Sequence, residues 1–180
     1  PFFATHAKGA YLYDVDKRPY LDFVNSLAAI TLGYQDPDVL DAVKTQLDKG
    51  TIFSLSNELE TKVAELVCEI VPCAEMVRFG KNGSDATSAA IRIARSYTQK
   101  DHICVCGYHG WHDWYIASTT KDSGIPKAVA DLTHSFAYNN LNALETLFHK
   151  FPNQIAAVIM EPVNVAPPNI DFLEKVKALA

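Results

Sequence analysis

The sequence predicts an α/β fold in which a small N-terminal β-meander segment precedes a mostly parallel α/β layer. Three observations carry this expectation. From residue 76 onward, apolar runs of strand length alternate with helix-length amphipathic stretches, as in helices covering a parallel sheet. Ile155-Ala156-Ala157-Val158-Ile159-Met160 is apolar throughout, as a strand covered on both faces should be. Residues 9–24 instead hold two short aromatic-rich runs around a turn.

Taken in order, Tyr11-Leu12-Tyr13 and Val15 lead into the turn Asp16-Lys17-Arg18-Pro19, and Tyr20-Leu21-Asp22-Phe23-Val24 returns. The small-residue stretch Asn25-Ser26-Leu27-Ala28-Ala29 comes next. Asp36 and Pro37 then offer an N-cap and a first helical position, Gly50 a stop, and Val39, Leu40, Val43 and Leu47 an apolar face. A second helix starts near Asn57, with Glu60 completing a capping box, a stripe of Leu59, Val63, Leu66, Val67 and Ile70, and Pro72 as its stop. A boundary at 50/51 separates the meander-and-helix segment (1–50) from the layered domain (51–180).

Within that domain 76–79 reads as a strand and 84–97 as a helix. Ala86, Ala89, Ala90, Ile93, Ala94 and Tyr97 form the face expected to pack on the sheet. Strands at 103–106 and 155–160, a helix at 141–149 and another from Phe172 follow. Residues 115–138, with Ser123-Gly124 and Pro126, read as a surface loop with short helical turns.

Bulk properties exclude several function classes. A net charge of −5 argues against a broad nucleic-acid surface, which needs clustered Lys and Arg. No apolar run reaches the roughly 18 residues that span a bilayer, so no membrane partner is expected. No basic region followed by an apolar one marks a secretory signal at the start. Four cysteines in 180 residues do not resemble a disulfide framework; they suit a reducing, cytoplasmic setting.

The chemistry concentrates in two turns. Phe79-Gly80-Lys81-Asn82-Gly83-Ser84-Asp85 opens a helix, whose first backbone N–H groups have no partner inside the helix and face any anion placed there. Gly83 permits close backbone approach, and the Ser84 hydroxyl adds a donor. The same residues also suit a plain helix cap, and the turn is neither a Walker A loop nor a dinucleotide fingerprint. Cys106-Gly107 leads into Tyr108-His109-Gly110-Trp111-His112 at the carboxyl end of a strand, where ligands sit in open α/β sheets. A phenol there can stack on a planar ligand. Glu161 follows the 155–160 strand and belongs to the same end of the sheet. His102, Cys104, Cys106, His109, His112 and Asp113 are dense in ligating types, but no Cys-x-x-Cys or His-Glu-x-x-His spacing supports a metal site.

With these motifs assembled, the chain resembles the class III, fold-type I aminotransferases that use pyridoxal 5'-phosphate, most of all glutamate-1-semialdehyde aminomutases and related transaminases. The resemblance runs through Lys8-Gly9-Ala10-Tyr11-Leu12-Tyr13-Asp14-Val15-Asp16, Gly83-Ser84-Asp85-Ala86-Thr87, Ile91-Arg92-Ile93-Ala94-Arg95, Tyr108-His109-Gly110 and Glu161-Pro162. It implies that Asn82, Gly83 and Ser84 hold the cofactor phosphate and that Tyr108 stacks on the pyridine. It also implies that His109 lies beside the ring, that Glu161 faces the crevice, and that Ser26 and Leu27 line a substrate pocket. Leu27 stands where the aminomutases carry an aromatic and Trp111 where they carry a histidine; both departures favour a transaminase acting on another amino or keto compound. The aspartate that pairs with the pyridinium nitrogen and the Schiff-base lysine are expected beyond Ala180, so no catalytic residue is assigned within the chain, and Lys81, Lys100 and Lys121 read as surface lysines. Also implied are an amino donor, a keto or aldehyde acceptor, and a homodimer. A non-catalytic phosphate-binding α/β protein is the alternative from another class.

Overall fold

The computed structural model describes residues 3–163 and 165–180. The chain divides into two compact units, Pro1–Leu66 and Val67–Ala180, so the units part beyond the 50/51 boundary read from the sequence.

In the first unit, β1 (Ala4–Lys8), β2 (Tyr11–Asp14) and β3 (Pro19–Leu21) form an antiparallel meander in that order. Asp14 explains the tight second turn. Its Oδ1 accepts the backbone N–H groups of Asp16 and Arg18 at 2.9 Å each, and its Oδ2 accepts the Tyr20 hydroxyl at 2.9 Å. These bonds hold the buried carboxyl below its ordinary pKa, the Arg18 N–H contributing most. The meander differs from the expectation at both ends. Ala4–Lys8 is an additional strand, missed because Thr5, His6 and Lys8 break its apolar pattern; Phe23 and Val24 lie outside β3, where Asp22 Oδ1 takes the Val24 and Asn25 N–H groups and turns the chain away.

A one-turn element, α1 (Asn25–Ala28), follows; all four of its residues have positive φ, between 46° and 69°. In α2 (Pro37–Lys49) the Asp36 side chain caps Val39 N–H at 3.1 Å and Gly50 ends the helix, as the sequence predicts. α3 (Glu58–Ile70) is capped by Asn57, whose Oδ1 accepts Leu59 N–H at 2.8 Å.

The second unit holds the core. β4 (His102–Cys106) lies between β5 (Thr133–Ser135) and β6 (Ile155–Met160), all parallel. The side chains of β4 alternate between two apolar clusters, as strand geometry requires. Ile103 and Val105 pack with Ile91, Trp114 and Tyr115 on one face. Cys104 and Cys106 pack with Phe136, Leu144, Phe172 and Val176 on the other. The helices that supply these faces are α4 (Gly83–Thr98) on one side, and α7 (Leu141–Lys150) and α8 (Phe172–Leu179) on the other. Between β4 and β5 run the short helices α5 (Asp113–Ile116) and α6 (Lys127–Ala130).

Three expectations fail in this unit. Residues 76–79 form no strand: they find no ladder partner among the described residues, and Met76 is exposed. Residues 133–135, read as loop, form β5; the run is too short and too polar to announce itself, and its pairing with β4 decides the outcome. The face of α4 that packs is also different. Ala86, Ala89, Ala90, Ile93 and Tyr97 are exposed, Ala94 is half-buried, and the inward stripe is Ser84, Thr87, Ser88 and Ile91. Three hydroxyls face inward because each finds a hydrogen-bond partner there, which removes the penalty for burying them.

Candidate functional site

The site is built around the segment 107–111, which leaves the carboxyl end of β4 and runs to the N-terminus of α4. Two glycines shape it. Gly107 has φ +95° and Gly110 has φ +100°, a backbone region that side chains disfavour. At Gly107 an added Cβ would lie 2.5 Å from Glu161 Oε2. At Gly110 an added Cβ would lie 2.3 Å from Ser84 Oγ and 3.1 Å from Ser84 Cα. One turn is therefore pressed against both Glu161 and Ser84.

At the start of α4, Asn82 is the N-cap, its Oδ1 accepting Asp85 N–H at 3.0 Å. The amide oxygen thus serves the helix and leaves the Gly83 and Ser84 N–H groups, which have no intrahelical acceptor, at the positive end of the dipole. Ser84 is buried, and its Oγ accepts Trp111 N–H at 3.3 Å. The Ser84 hydroxyl proton remains for donation to another acceptor.

Tyr108 and His109 point in opposite senses. Tyr108 is 67% exposed, touching Tyr115 edge-on with ring centroids 5.7 Å apart. His109 is 7% exposed, and its Nε2 donates to Cys106 O at 3.0 Å. Its ring is enclosed by Tyr115 at 5.4 Å and Trp114 at 6.5 Å, so it supports the turn from beneath. The Tyr115 hydroxyl donates to Gly107 O at 2.8 Å. Burial, with Tyr108 and Glu161 nearby, raises the Tyr115 pKa against the opposing effect of a His109 backbone bond, so this phenol stays a donor.

Glu161 follows β6, its N–H donating to Cys106 O at 3.1 Å. With Cys106, Gly107, Phe136 and Tyr138 it lines a cavity of about 350 Å³ at the carboxyl ends of the three strands. Burial, and then the Glu161 charge, push the Cys106 thiol up in pKa. Ser26 and Leu27 belong to the first unit; Ser26 Oγ lies 3.3 Å from the Tyr34 hydroxyl, and Leu27 is exposed. The ligating side chains singled out in the sequence are spent elsewhere: His102 Nδ1 lies 2.8 Å from His134 Nε2, and His112 Nδ1 lies 2.7 Å from Ser88 Oγ. Among the described residues no three His, Cys, Asp or Glu side chains converge as metal ligands.

The structure thus brings Asn82, Gly83, Ser84, Tyr108, His109 and Glu161 into one continuous region of the second unit. Sequence reasoning missed Thr87, Ser88 and Trp114, which tie this region together. Their signal was the spacing of Ser84, Thr87 and Ser88 at i, i+3 and i+4, one face of a helix.

A profile described as aminotransferase class III matches residues 1–180. The chain belongs to the class III aminotransferase family. Two of its relatives are a 3-aminobutyryl-CoA aminotransferase from Cloacimonas acidaminovorans, 37% identical over all of this chain and 44% of the relative, and a glutamate-1-semialdehyde 2,1-aminomutase from Natranaerobius thermophilus, 40% identical over 99% of this chain and 45% of the relative. Among solved structures, an omega-transaminase from Sphaerobacter thermophilus superposes with a TM-score of 0.91 at 31% identity, covering 99% of this chain and 46% of that one. This class III chain therefore spans less than half the length of the relatives it matches, and its α/β fold is that of the corresponding part of a transaminase. No helix among the described residues is long and apolar enough to cross a membrane.

Proposed function

We propose that the protein containing this chain is a pyridoxal-phosphate-dependent aminotransferase that moves an amino group from a small amine donor to a keto or aldehyde acceptor. The observation that carries the reading is the contact between the two turns: the segment bearing Tyr108 lies against Ser84 closely enough that only glycine fits at 110. The start of α4, with donors suited to an anion, and an exposed phenol face are thereby held side by side although they lie far apart along the chain.

These residues fit the cofactor. The Gly83 and Ser84 N–H groups and the Ser84 hydroxyl are donors suited to a phosphate, and the exposed Tyr108 ring offers a stacking surface. When bound, pyridoxal phosphate supplies an aldehyde carbon for the amine and a ring that accepts electrons. The chain's own residues do the rest of what is assigned here: Ser84 orients the phosphate, Tyr108 fixes the ring plane, and Glu161 presents a carboxylate at the crevice. Ser26 and Leu27 are assigned to the substrate pocket.

Titration of the full-length apoprotein with pyridoxal phosphate, followed by exposure to amines and keto acids, tests the reading. Cofactor uptake with donor-dependent conversion supports it; uptake without any amino transfer supports the phosphate-binding alternative. A second reading, intramolecular transfer by an aminomutase, is favoured by the 40% identity to the Natranaerobius enzyme and is tested with glutamate-1-semialdehyde as sole substrate.

Homodimerisation and a cytoplasmic location belong to the same proposal. The apolar stripe of α2 supports the first, since Val39, Val43 and Leu47 are exposed in the single chain. The four free thiols support the second. Light scattering of the full-length protein measures the assembly.

A further inference from the structure

The hydroxyls on the inward stripe of α4 each engage the segment that carries the stacking ring. Thr87 Oγ1 donates to His109 O at 2.9 Å, and Ser84 Oγ accepts Trp111 N–H at 3.3 Å. Ser88 Oγ lies 2.7 Å from His112 Nδ1 and accepts the Trp114 indole N–H at 2.9 Å. An indole N–H can only donate, so Ser88 Oγ is its acceptor and meets His112 Nδ1 with its proton or its second lone pair, according to the imidazole tautomer.

Little else holds the Tyr108 ring. It is largely exposed, the ring it touches among the described residues is Tyr115, met edge-on, and positive-φ glycines stand on both sides of the Tyr108–His109 pair. The upstream end of the segment is tied by the Tyr115 hydroxyl to Gly107 O at 2.8 Å. The downstream end is tied through Ser88, His112 and Trp114. We infer that Ser88 and His112 are positioning residues, a latch on α4 that sets the tilt of the Tyr108 ring over the bound cofactor without touching it.

This inference rests on the cofactor reading above. It is tested on the full-length protein with S88A, H112A and H112N, the last keeping an acceptor oxygen near the place of Nδ1. Two net hydrogen bonds separate S88A from the wild type, which predicts about a tenfold rise in the dissociation constant for pyridoxal phosphate. The circular-dichroism band of the bound cofactor should weaken in parallel, and amide exchange of residues 108–112 in the apoprotein should quicken. H112A should follow S88A, and H112N should stay near the wild type on all three measures. Inorganic phosphate should bind wild type and S88A equally, because Ser84 and the helix end are untouched.

Unchanged cofactor affinity and dichroism in S88A and H112A would overturn the latch and leave the cofactor reading standing. Equal weakening of inorganic phosphate and cofactor would also overturn it, since the loss would then be collapse of the whole site. A wild-type protein that takes up no cofactor would remove the functional reading, and the latch with it.

Discussion

Replacing Gly110 by alanine should damage the site more than its one added carbon suggests. The new Cβ would sit 2.3 Å from Ser84 Oγ, 3.0 Å from Ser84 Cβ and 3.1 Å from Ser84 Cα, so rotating the serine hydroxyl away does not relieve the contact. The backbone at φ +100° adds its own cost. A side chain forced into such a region costs about 1–3 kcal/mol, and inserting a methyl into a packed contact about 1–3 kcal/mol more. The sum, roughly 2–6 kcal/mol, corresponds to a melting temperature lower by at least about 4 °C in a unit of this size. The segment relaxes by moving off Ser84, which takes the Trp111 N–H from Ser84 Oγ and displaces the hydroxyl intended for phosphate. Losing one hydrogen bond to a charged group weakens binding by at least about tenfold. The assay is a paired titration of the apoprotein with pyridoxal phosphate and with pyridoxal, which lacks the phosphate. The variant should lose affinity mainly for the phosphorylated ligand. Equal affinity for both proteins, with a melting temperature within about 1 °C, would refute the close contact between the two turns.

Other expectations are more local. Asn82→Ala removes the cap on Asp85 N–H and should cost about 1 kcal/mol in urea denaturation; no change in midpoint would mean that solvent caps α4 equally well. Burial pushes the Cys104 thiol up to about 11, whereas Cys73 is exposed; iodoacetamide should label Cys73 first and Cys104 last by peptide mass spectrometry, and early labelling of Cys104 would contradict the packing of β4. His134 has its pKa lowered, first by burial and then by His102 and Lys150, against a smaller opposing effect of Asp131. Its neutral form is the one the fold favours, so the unfolded chain binds more protons below about 6.5. The corresponding stability is present above that pH and lost as pH falls through the lower folded-state value. Denaturation midpoints of the wild type should therefore drop below about pH 6.5 more steeply than those of His134→Phe, and parallel curves would exclude His134 as the source.

How legible was this in the sequence? The caps of α2 and α4 were readable because Asp36-Pro37 and Asn82 act within a few residues of themselves, and local hydrogen bonds decide them. β6 was readable from composition alone. What escaped depends on partners far along the chain. β5 exists because β4 pairs with it, and residues 76–79 stay irregular because the described chain offers no strand beside them. The packing face of α4 was misjudged because alanines normally signal a buried stripe; here the buried Ser84 and the half-buried Thr87 and Ser88 face inward instead, and their partners on 109–114 lie more than twenty residues downstream. In the site, Ser84 and Tyr108 were visible as separate motifs. The inward turn of His109 was not, because its acceptor is the Cys106 backbone carbonyl, which no residue pattern reveals.

A structure of the full-length protein with pyridoxal phosphate is the most direct trial of the shared pocket. Density for the phosphate within hydrogen-bonding distance of the Ser84 hydroxyl and the Gly83 and Ser84 N–H groups, with the pyridine lying on the Tyr108 ring, is the result expected. A cofactor bound with Tyr108 turned to solvent, or with its phosphate held away from the start of α4, would contradict it.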